Sequence, residues 1–384
     1  MDLKQLREKI DNVDTGLLKL FEERMDVVSE IAAYKQANGL PVVDRSRENE
    51  KLKAISTQVR PELIPFAHTL YDILFELSHS RQHIARAKDG LTPMPLRQEI
   101  QAALDNTPKL FPETATVACQ GVEGAFSQLA ATRFFKRPDI QYFRTFDSVF
   151  AAVENGFCKY GILPLENSTA GSVNKIYDLM QQHKCKIAKS LRMKIDHNLV
   201  APKGVKLEDI REVFSHEQAL AQCAAFLEKY PNITITVSEN TAIAAKAVAE
   251  SPRRDIAAIC GHNCIGLYGL NCLARDIQDH ANNYTRFICI SKNLEIYPGA
   301  DRTSVMIVLS HTPGALYKVL ARFYALGVNL IKLESRPIPE RDFEFRFYFD
   351  LETSVYSDAF MQLMDSMQEI CAEFEYFGSY VEVM

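Results

Sequence analysis

The chain has 384 residues, is 47% hydrophobic and 24% charged, and carries a formal net charge of -5. That length implies two or three domains, and the composition is that of a soluble globular protein. The slight negative balance leaves no footprint for nucleic acid or an anionic membrane, so an anionic ligand must be held by locally placed Arg and Lys.

No apolar run approaches the roughly 18 residues of a membrane span, and the charged opening Met1-Asp-Leu-Lys-Gln-Leu-Arg7 does not read as a signal peptide. Nine cysteines without CxxC pairs suit free thiols in a reducing cytoplasm. Cys260, His262, Cys264 and Cys272 match no common zinc spacing and read as core thiols. No metal and no organic cofactor is expected.

From Asp2 to about Asn38 there is no proline and one glycine. Leu3, Ile10, Leu17 and Ile31 recur every seven residues, with Leu6, Val13, Leu20, Val27 and Tyr34 as a companion row. This predicts one helix of about 35 residues, roughly 50 Å long, with a single apolar seam. It outruns any core that ninety residues can build, so it must pack along a partner, such as a second copy of itself. Arg24 occupies a seam position, and Arg7 and Lys35 sit beside the seam. Snorkelling or one register-setting charge would explain a single cation. Three favour buried anions that meet them. Gly39 and Pro41 end this helix; a second opens near Val42–Glu48, and a third, from about Glu62 to Ala87, places Ser78 and Gln82 on one face.

These ninety residues resemble the all-helical chorismate mutase domain, an intertwined dimer. The resemblance rests on Leu-Arg-Glu-Lys-Ile at 6–10, Glu23-Arg24, Lys35, Asp44, Arg47-Glu48, Ser78 and Gln82. It implies that Arg7, Arg24 and Arg47 hold the two carboxylates of chorismate, one arginine coming from the partner chain. Lys35 and Gln82 would donate to the ether oxygen, and Asp44, Glu48 and Ser78 would place the ring and its hydroxyl. A Claisen rearrangement needs only a dianion held in its reactive chair and donors aimed at the oxygen that gains charge. Glu48 fits beside a dianion if it accepts from the substrate hydroxyl or is protonated.

Residues 91–113 contain Pro93, Pro95, Pro108 and Pro112 around a short helical pattern and read as a linker. From Thr116 onward, short apolar runs alternate with helical patterns in two series, which predicts two α/β lobes with a cleft between them. A strand is expected at 161–163, stopped by Pro164, and Ser127 is expected to cap a helix. Gly121-x-x-Gly124 is not a dinucleotide fingerprint, which argues against redox chemistry.

Gly-x-x-Gly-x-Phe-Ser127, Pro-Leu-Glu-Asn-Ser168, Ser215-His-x-Gln218 and Asn283-x-Thr-Arg-Phe287, in this order, resemble prephenate dehydratase. That fold is like a small two-lobed periplasmic binding protein. The resemblance puts the key threonine at Thr285, with Glu166 as a possible acid. Asn167, Ser168, Ser215, Gln222, Asn283 and Arg286 would line the same cleft.

Beyond residue 300, strand and helix patterns follow the order βαββαβ, a ferredoxin-like α+β unit closed by 374–377 and 380–383. It resembles an ACT domain of the phenylalanine-sensing type through Gly314-Ala315-Leu316 and Glu334-Ser335-Arg336-Pro337, with Asn329 at the start of the intervening strand. Tyr317 stands where that family commonly has a small aliphatic residue. The resemblance implies L-phenylalanine as a feedback effector.

The expected architecture is a multidomain one: mutase at 1–90, linker at 91–113, dehydratase at 114–295 and ACT at 300–384. Its partners are chorismate, prephenate and L-phenylalanine, with no nucleic acid or membrane, in a cytoplasmic homodimer or dimer of dimers. Alternatives are the same architecture preferring arogenate, or a non-catalytic amino-acid sensor.

Overall fold

The computed structural model describes residues 2–88, 95–339, 341 and 344–384. Pro93 of the expected linker and Phe343, the expected start of a strand, lie outside them. The chain forms two compact bodies: Met1–Ala102 with Asp301–Tyr376, and Ala103–Ala300 with Phe377–Met384.

Three helices open the chain: α1 (Leu3–Ala37), α2 (Arg45–Gln58) and α3 (Ile64–Lys88). A capping box starts α1, with the Asp2 carboxylate accepting from the Gln5 amide at 2.8 Å and the Gln5 side chain accepting from Asp2 in return. Asp44 caps α2 by accepting from the Arg47 amide at 3.0 Å. The seam of α1 is largely uncovered within one chain: Leu3, Ile10, Val13 and Leu20 are 60–64% exposed. Such a stripe on a 35-residue helix requires a covering surface. The chain then passes through α4 (Pro95–Asn106) into the second body.

There the first lobe builds β1 (Thr114–Gln120), α5 (Phe126–Phe134), β2 (Arg137–Phe143), α6 (Phe146–Glu154), β3 (Tyr160–Asn167), β4 (Gly171–Ser172), α7 (Asn174–Gln182) and β5 (Lys186–Lys194). The second lobe follows with β6 (Asn198–Ala201), β7 (Glu212–Ser215), α8 (Glu217–Ala221), α9 (Ala224–Leu227), β8 (Thr234–Val237), α10 (Thr241–Glu250), β9 (Ile256–Cys260), α11 (Asn263–Tyr268) and β10 (Asn271–Ala274). The chain returns to the first lobe as β11 (Tyr284–Ser291).

The first sheet runs β5-β11-β3-β1-β2, with β4 on β3 and the chain's last strand (Glu382–Val383) outside β5; the second runs β10-β6-β9-β7-β8. Two α/β lobes joined by two crossing segments, 195–197 and 275–283, match the expectation. The strand at 161–163 extends further than expected, to Asn167. Pro164 is tolerated because the β1 ladder on that side ends at Ile162 and β4 begins only at Glu166, while the ladder to β11 shifts register at this point. Ser127 is not a cap: Ala125 precedes α5 and no side chain caps it.

The remaining elements are β12 (Arg302–Val308), α12 (Ala315–Ala325), β13 (Asn329–Pro337), β14 (Phe345–Glu352), α13 (Asp358–Ile370), β15 (Glu373–Tyr380) and β16 (Glu382–Val383). β12 to β15 form a sheet of order β13-β14-β12-β15, the connectivity read from the sequence. Its helices α12 and α13 pack on α3, so this unit shares a body with the mutase-like helices.

One expectation fails. β15 closes this sheet, as expected for 374–377, but the last residues leave it. From Phe377 they belong to the other body, where β16 pairs in parallel with β5. Gly378 makes that path possible: its φ is 141°, and a Cβ there would come within 2.5 Å of the Ile187 carbonyl oxygen. Gly378→Ala should therefore destabilise by about 1–3 kcal/mol, a fall in Tm of roughly 2–12 °C in thermal denaturation. An unchanged Tm would mean the tail does not take this route.

Candidate active sites

In the helical body, Arg24 leaves the α1 seam to meet α3. Its Nη1 donates to Ser78 Oγ at 2.5 Å and to the Leu74 carbonyl at 3.2 Å. Burial pushes the guanidinium pKa down, and among the described residues no carboxylate pairs with it. Gln82, one turn beyond Ser78, is 5% exposed, and its Oε1 has no hydrogen-bond partner among the described residues. Such a group calls for a ligand. Lys35 donates to the Val42 carbonyl at 2.6 Å, and Glu48 bonds His79 at 2.7 Å.

Arg7, Asp44 and Arg47 stay open to solvent. Asp44 serves as the α2 cap, and Arg47 pairs with Glu50 at 3.3 Å on the surface. Arg7 and Arg24 lie on one straight helix, 17 residues and hence about 25 Å apart, too far to grip one small dianion from the same chain.

The second body holds a cleft of about 340 Å³ between the lobes. Phe126, Ser127, Asn167 and Thr285 line it from one side, and His216, Gln218, Gln222, Asn240 and Thr241 from the other. A buried amide network shapes its floor. Asn167 Nδ2 donates to Thr285 Oγ1 at 3.0 Å and to Asn283 Oδ1 at 2.8 Å. Asn283 Nδ2 donates to Gln222 Oε1 at 3.0 Å, and His197 Nε2 shares that oxygen at 2.9 Å. Gln222 Nε2 donates to Thr169 Oγ1 at 2.9 Å. Thr285 Oγ1 thus accepts from Asn167 and keeps its own proton for another acceptor. Burial pushes the His197 pKa down and outweighs its bond to Gln222, so the imidazole is neutral near pH 7.

Strand alternation divides the expected set. Asn167 and Thr285 are paired across β3 and β11, as are Glu166 and Arg286. Successive residues face opposite sides of a sheet. Glu166 and Arg286 therefore turn away from the threonine, which corrects the expectation of one shared cleft. They line a larger hollow of about 760 Å³ with Arg133, Ser168, Arg192 and Lys194. Arg286 is 5% exposed and tied down there. It binds Glu166 at 3.3 Å, Glu382 at 3.2 Å and the Tyr380 hydroxyl at 2.6 Å. Ser168 Oγ bridges the Asn282 carbonyl at 2.6 Å and the Tyr284 amide at 2.9 Å.

Ser215 also leaves the set. It is fully buried and donates to the Ile259 carbonyl at 2.7 Å, and His216 caps α8 in its place. Ser127, Thr169 and His197 were not foreseen as site residues. Ser127 stood inside a quoted motif, but His197 carries no local signal.

In the C-terminal unit, Gly314 precedes α12 with φ 79°, Ala315 and Leu316 begin the helix, and Asn329 to Pro337, including Glu334, Ser335 and Arg336, form the edge strand β13. Asn329 donates to Glu352 at 2.8 Å.

Residues 6–83 match the family described as chorismate mutase type II, and residues 117–295 that described as prephenate dehydratase. A bifunctional chorismate mutase/prephenate dehydratase of Aquifex aeolicus is 31% identical over 388 residues, covering 100% of this chain and 99% of its own. The chain belongs to the bifunctional chorismate mutase/prephenate dehydratase family. An Arabidopsis thaliana arogenate dehydratase/prephenate dehydratase is 37% identical over 276 residues, 69% of this chain and 72% of its own. A solved prephenate dehydratase from Arthrobacter aurescens, in complex with L-Phe, superposes with a TM-score of 0.64 at 29% identity, over 69% of this chain and 89% of that one.

For the dehydratase half the geometry separates two hydroxyls. Thr285→Ala should lower dehydratase kcat by roughly 10²-fold or more. Ser215→Ala should cost about 1 kcal/mol of stability and change kcat only a few-fold. Steady-state assays on added prephenate check both, and equal losses in the two variants would contradict the assignment.

Proposed function

We propose that the protein converts chorismate to prephenate and then prephenate to phenylpyruvate, the second step under feedback by L-phenylalanine. The observation that carries the second step is the Thr285 hydroxyl, held by Asn167 in a cleft of the dehydratase body. In that step the ring carboxylate leaves as CO2, its electrons pass through the ring, and the ring hydroxyl departs as water with one proton taken from solvent. Thr285 donates the hydrogen bond that eases that departure.

No arginine or lysine is in the lining of this cleft among the described residues. The substrate carboxylates instead meet the first turns of α5 and α10, which supply lining residues Phe126, Ser127 and Thr241. The α5 start has no side-chain cap, so its first amides are open to an anion. Asn240 caps α10 by accepting from Ile243 at 2.8 Å.

For the first step, Arg24, Lys35, Ser78, Gln82 and Glu48 of one chain and Arg7 of a second form a site for chorismate. Arg24 and the second chain's Arg7 grip the carboxylates, while Lys35 and Gln82 face the ether oxygen. This makes the protein a dimer through α1, whose exposed seam supports the reading. The βαββαβ unit serves as an ACT-type sensor, with Gly314–Leu316 and Asn329–Pro337 as its effector residues. The L-Phe bound to the Arthrobacter aurescens relative supports that effector.

A second reading is favoured by the plant relatives named arogenate dehydratase, one of them, from Petunia hybrida, 35% identical over 324 residues. It keeps the same cleft chemistry on the aminated substrate. Comparing kcat/KM for prephenate and arogenate decides between them.

Arg24→Ala should abolish mutase turnover while sparing dehydration of added prephenate. Saturating phenylalanine should lower the wild-type dehydratase rate by roughly 5–150-fold, the span of 1–3 kcal/mol of coupling. A coupled assay fed with chorismate, with and without phenylalanine, reads both. Retained mutase activity in the variant, or indifference to phenylalanine, would overturn the corresponding part.

A further inference from the structure

A chain of four alternating charges runs through the helical body. Glu48 of α2 bonds His79 Nε2 of α3 at 2.7 Å. Glu76, one turn back on α3, stands 3.9 Å from His79 Nδ1. Arg322 of α12 reaches Glu76 at 2.5 Å and the Ser366 carbonyl at 3.3 Å. The side chains are 18%, 7%, 10% and 0% exposed in that order. A cavity of about 320 Å³ adjoins them, and it is lined also by Arg45 of α2 and Lys318 of α12. Burying four ionisable groups is unfavourable unless each has an opposite charge beside it, as these do. The cost of assembling them calls for a reason.

We propose that His79 is a positioning residue for the mutase step: it clamps Glu48 Oε1, leaves Oε2 to accept from the substrate hydroxyl, and is itself held in register by Glu76 and Arg322. The inference rests on the reading of Glu48 as a substrate-facing residue. Sequence distance hides the arrangement, because Arg322 is 246 residues from Glu76.

Electrostatics sets the direction of the pH response. Burial lowers the His79 pKa, but its hydrogen bond to Glu48 and the negative charges of Glu48 and Glu76 outweigh that and raise it overall. Burial likewise raises the Glu76 pKa, and His79 and Arg322 bring it below its ordinary value. The charged clamp is complete below about pH 6.5, the unperturbed His value. As pH rises through the raised His79 pKa the charge is lost and only a neutral N–H donor to Glu48 remains, a weaker clamp, so mutase kcat/KM falls along an alkaline limb.

Mutase pH profiles of wild type, Glu76→Gln, His79→Gln and Glu48→Gln test this, with dehydration of added prephenate as the check that each chain is folded. Glu76→Gln removes one anion from His79 and should move the limb down by about one pH unit. His79→Gln keeps a neutral donor to Glu48 but never a positive charge, so the limb should vanish and kcat/KM should stay at the low, alkaline wild-type level at every pH. Glu48→Gln should lower kcat/KM at least about tenfold at every pH. If Glu48→Gln is fully active, the reading of Glu48 fails. If Glu48→Gln is impaired but Glu76→Gln and His79→Gln keep the wild-type profile, the clamp fails and that reading stands.

Discussion

A guanidinium set into an apolar helical seam governs this molecule. Arg24 lies half-buried on α1, bonded to Ser78 and a backbone carbonyl, with no carboxylate partner among the described residues. Removing that charge from water costs several kcal/mol unless an anion arrives. The seam around it is equally unfinished, with leucines, isoleucines and valines exposed along a 35-residue helix. One missing surface and one missing anion are both supplied if a second chain lies along α1 and a dianion fills the pocket between them. The buried Oε1 of Gln82, one turn from Ser78 and without a partner among the described residues, would be met by the same ligand.

The dehydratase half uses a different economy of charge. Its cleft is built from amides, hydroxyls, a neutral histidine and helix starts rather than from salt bridges. Asn167 links the floor together, giving hydrogen bonds to Thr285 and Asn283 and accepting from Thr169 and Ala170. The crossing segments between the lobes place His197 and Asn283 at the centre of this floor, with the Ile195 amide bonded to the Asn283 carbonyl at 2.8 Å. The strong ion pairs lie on the other face of β3 and β11, where the C-terminal tail brings Tyr380 and Glu382 to Arg286.

The seam was legible because a period of seven can be counted along one segment, and Arg24 stood out as a break in it. The βαββαβ order was legible for the same reason, since each element declares its own period. The division between Thr285 and Arg286 was not, although strand alternation contains it. With the strand thought to stop at Pro164, no register tied Glu166 to Arg286 and Asn167 to Thr285. Ser215, expected to line the cleft, instead turns its hydroxyl to the Ile259 carbonyl, a direction that only tertiary packing sets. His79 and Arg322 meet glutamates through packing of elements remote in sequence, and the exchange of the last strand to β5 is set by long-range pairing. No local pattern encodes either.

Complementation between two mutase-dead chains tests the shared site most directly. Arg7→Ala and Arg24→Ala are each prepared alone and then co-refolded in equal amounts, and mutase activity is measured. If each site takes Arg24 from one chain and Arg7 from the other, half of the dimers are mixed and each has one intact site. Activity should then return to about a quarter of the wild-type value. A mixture as inactive as either parent, with mixed dimers shown to form, would contradict the account.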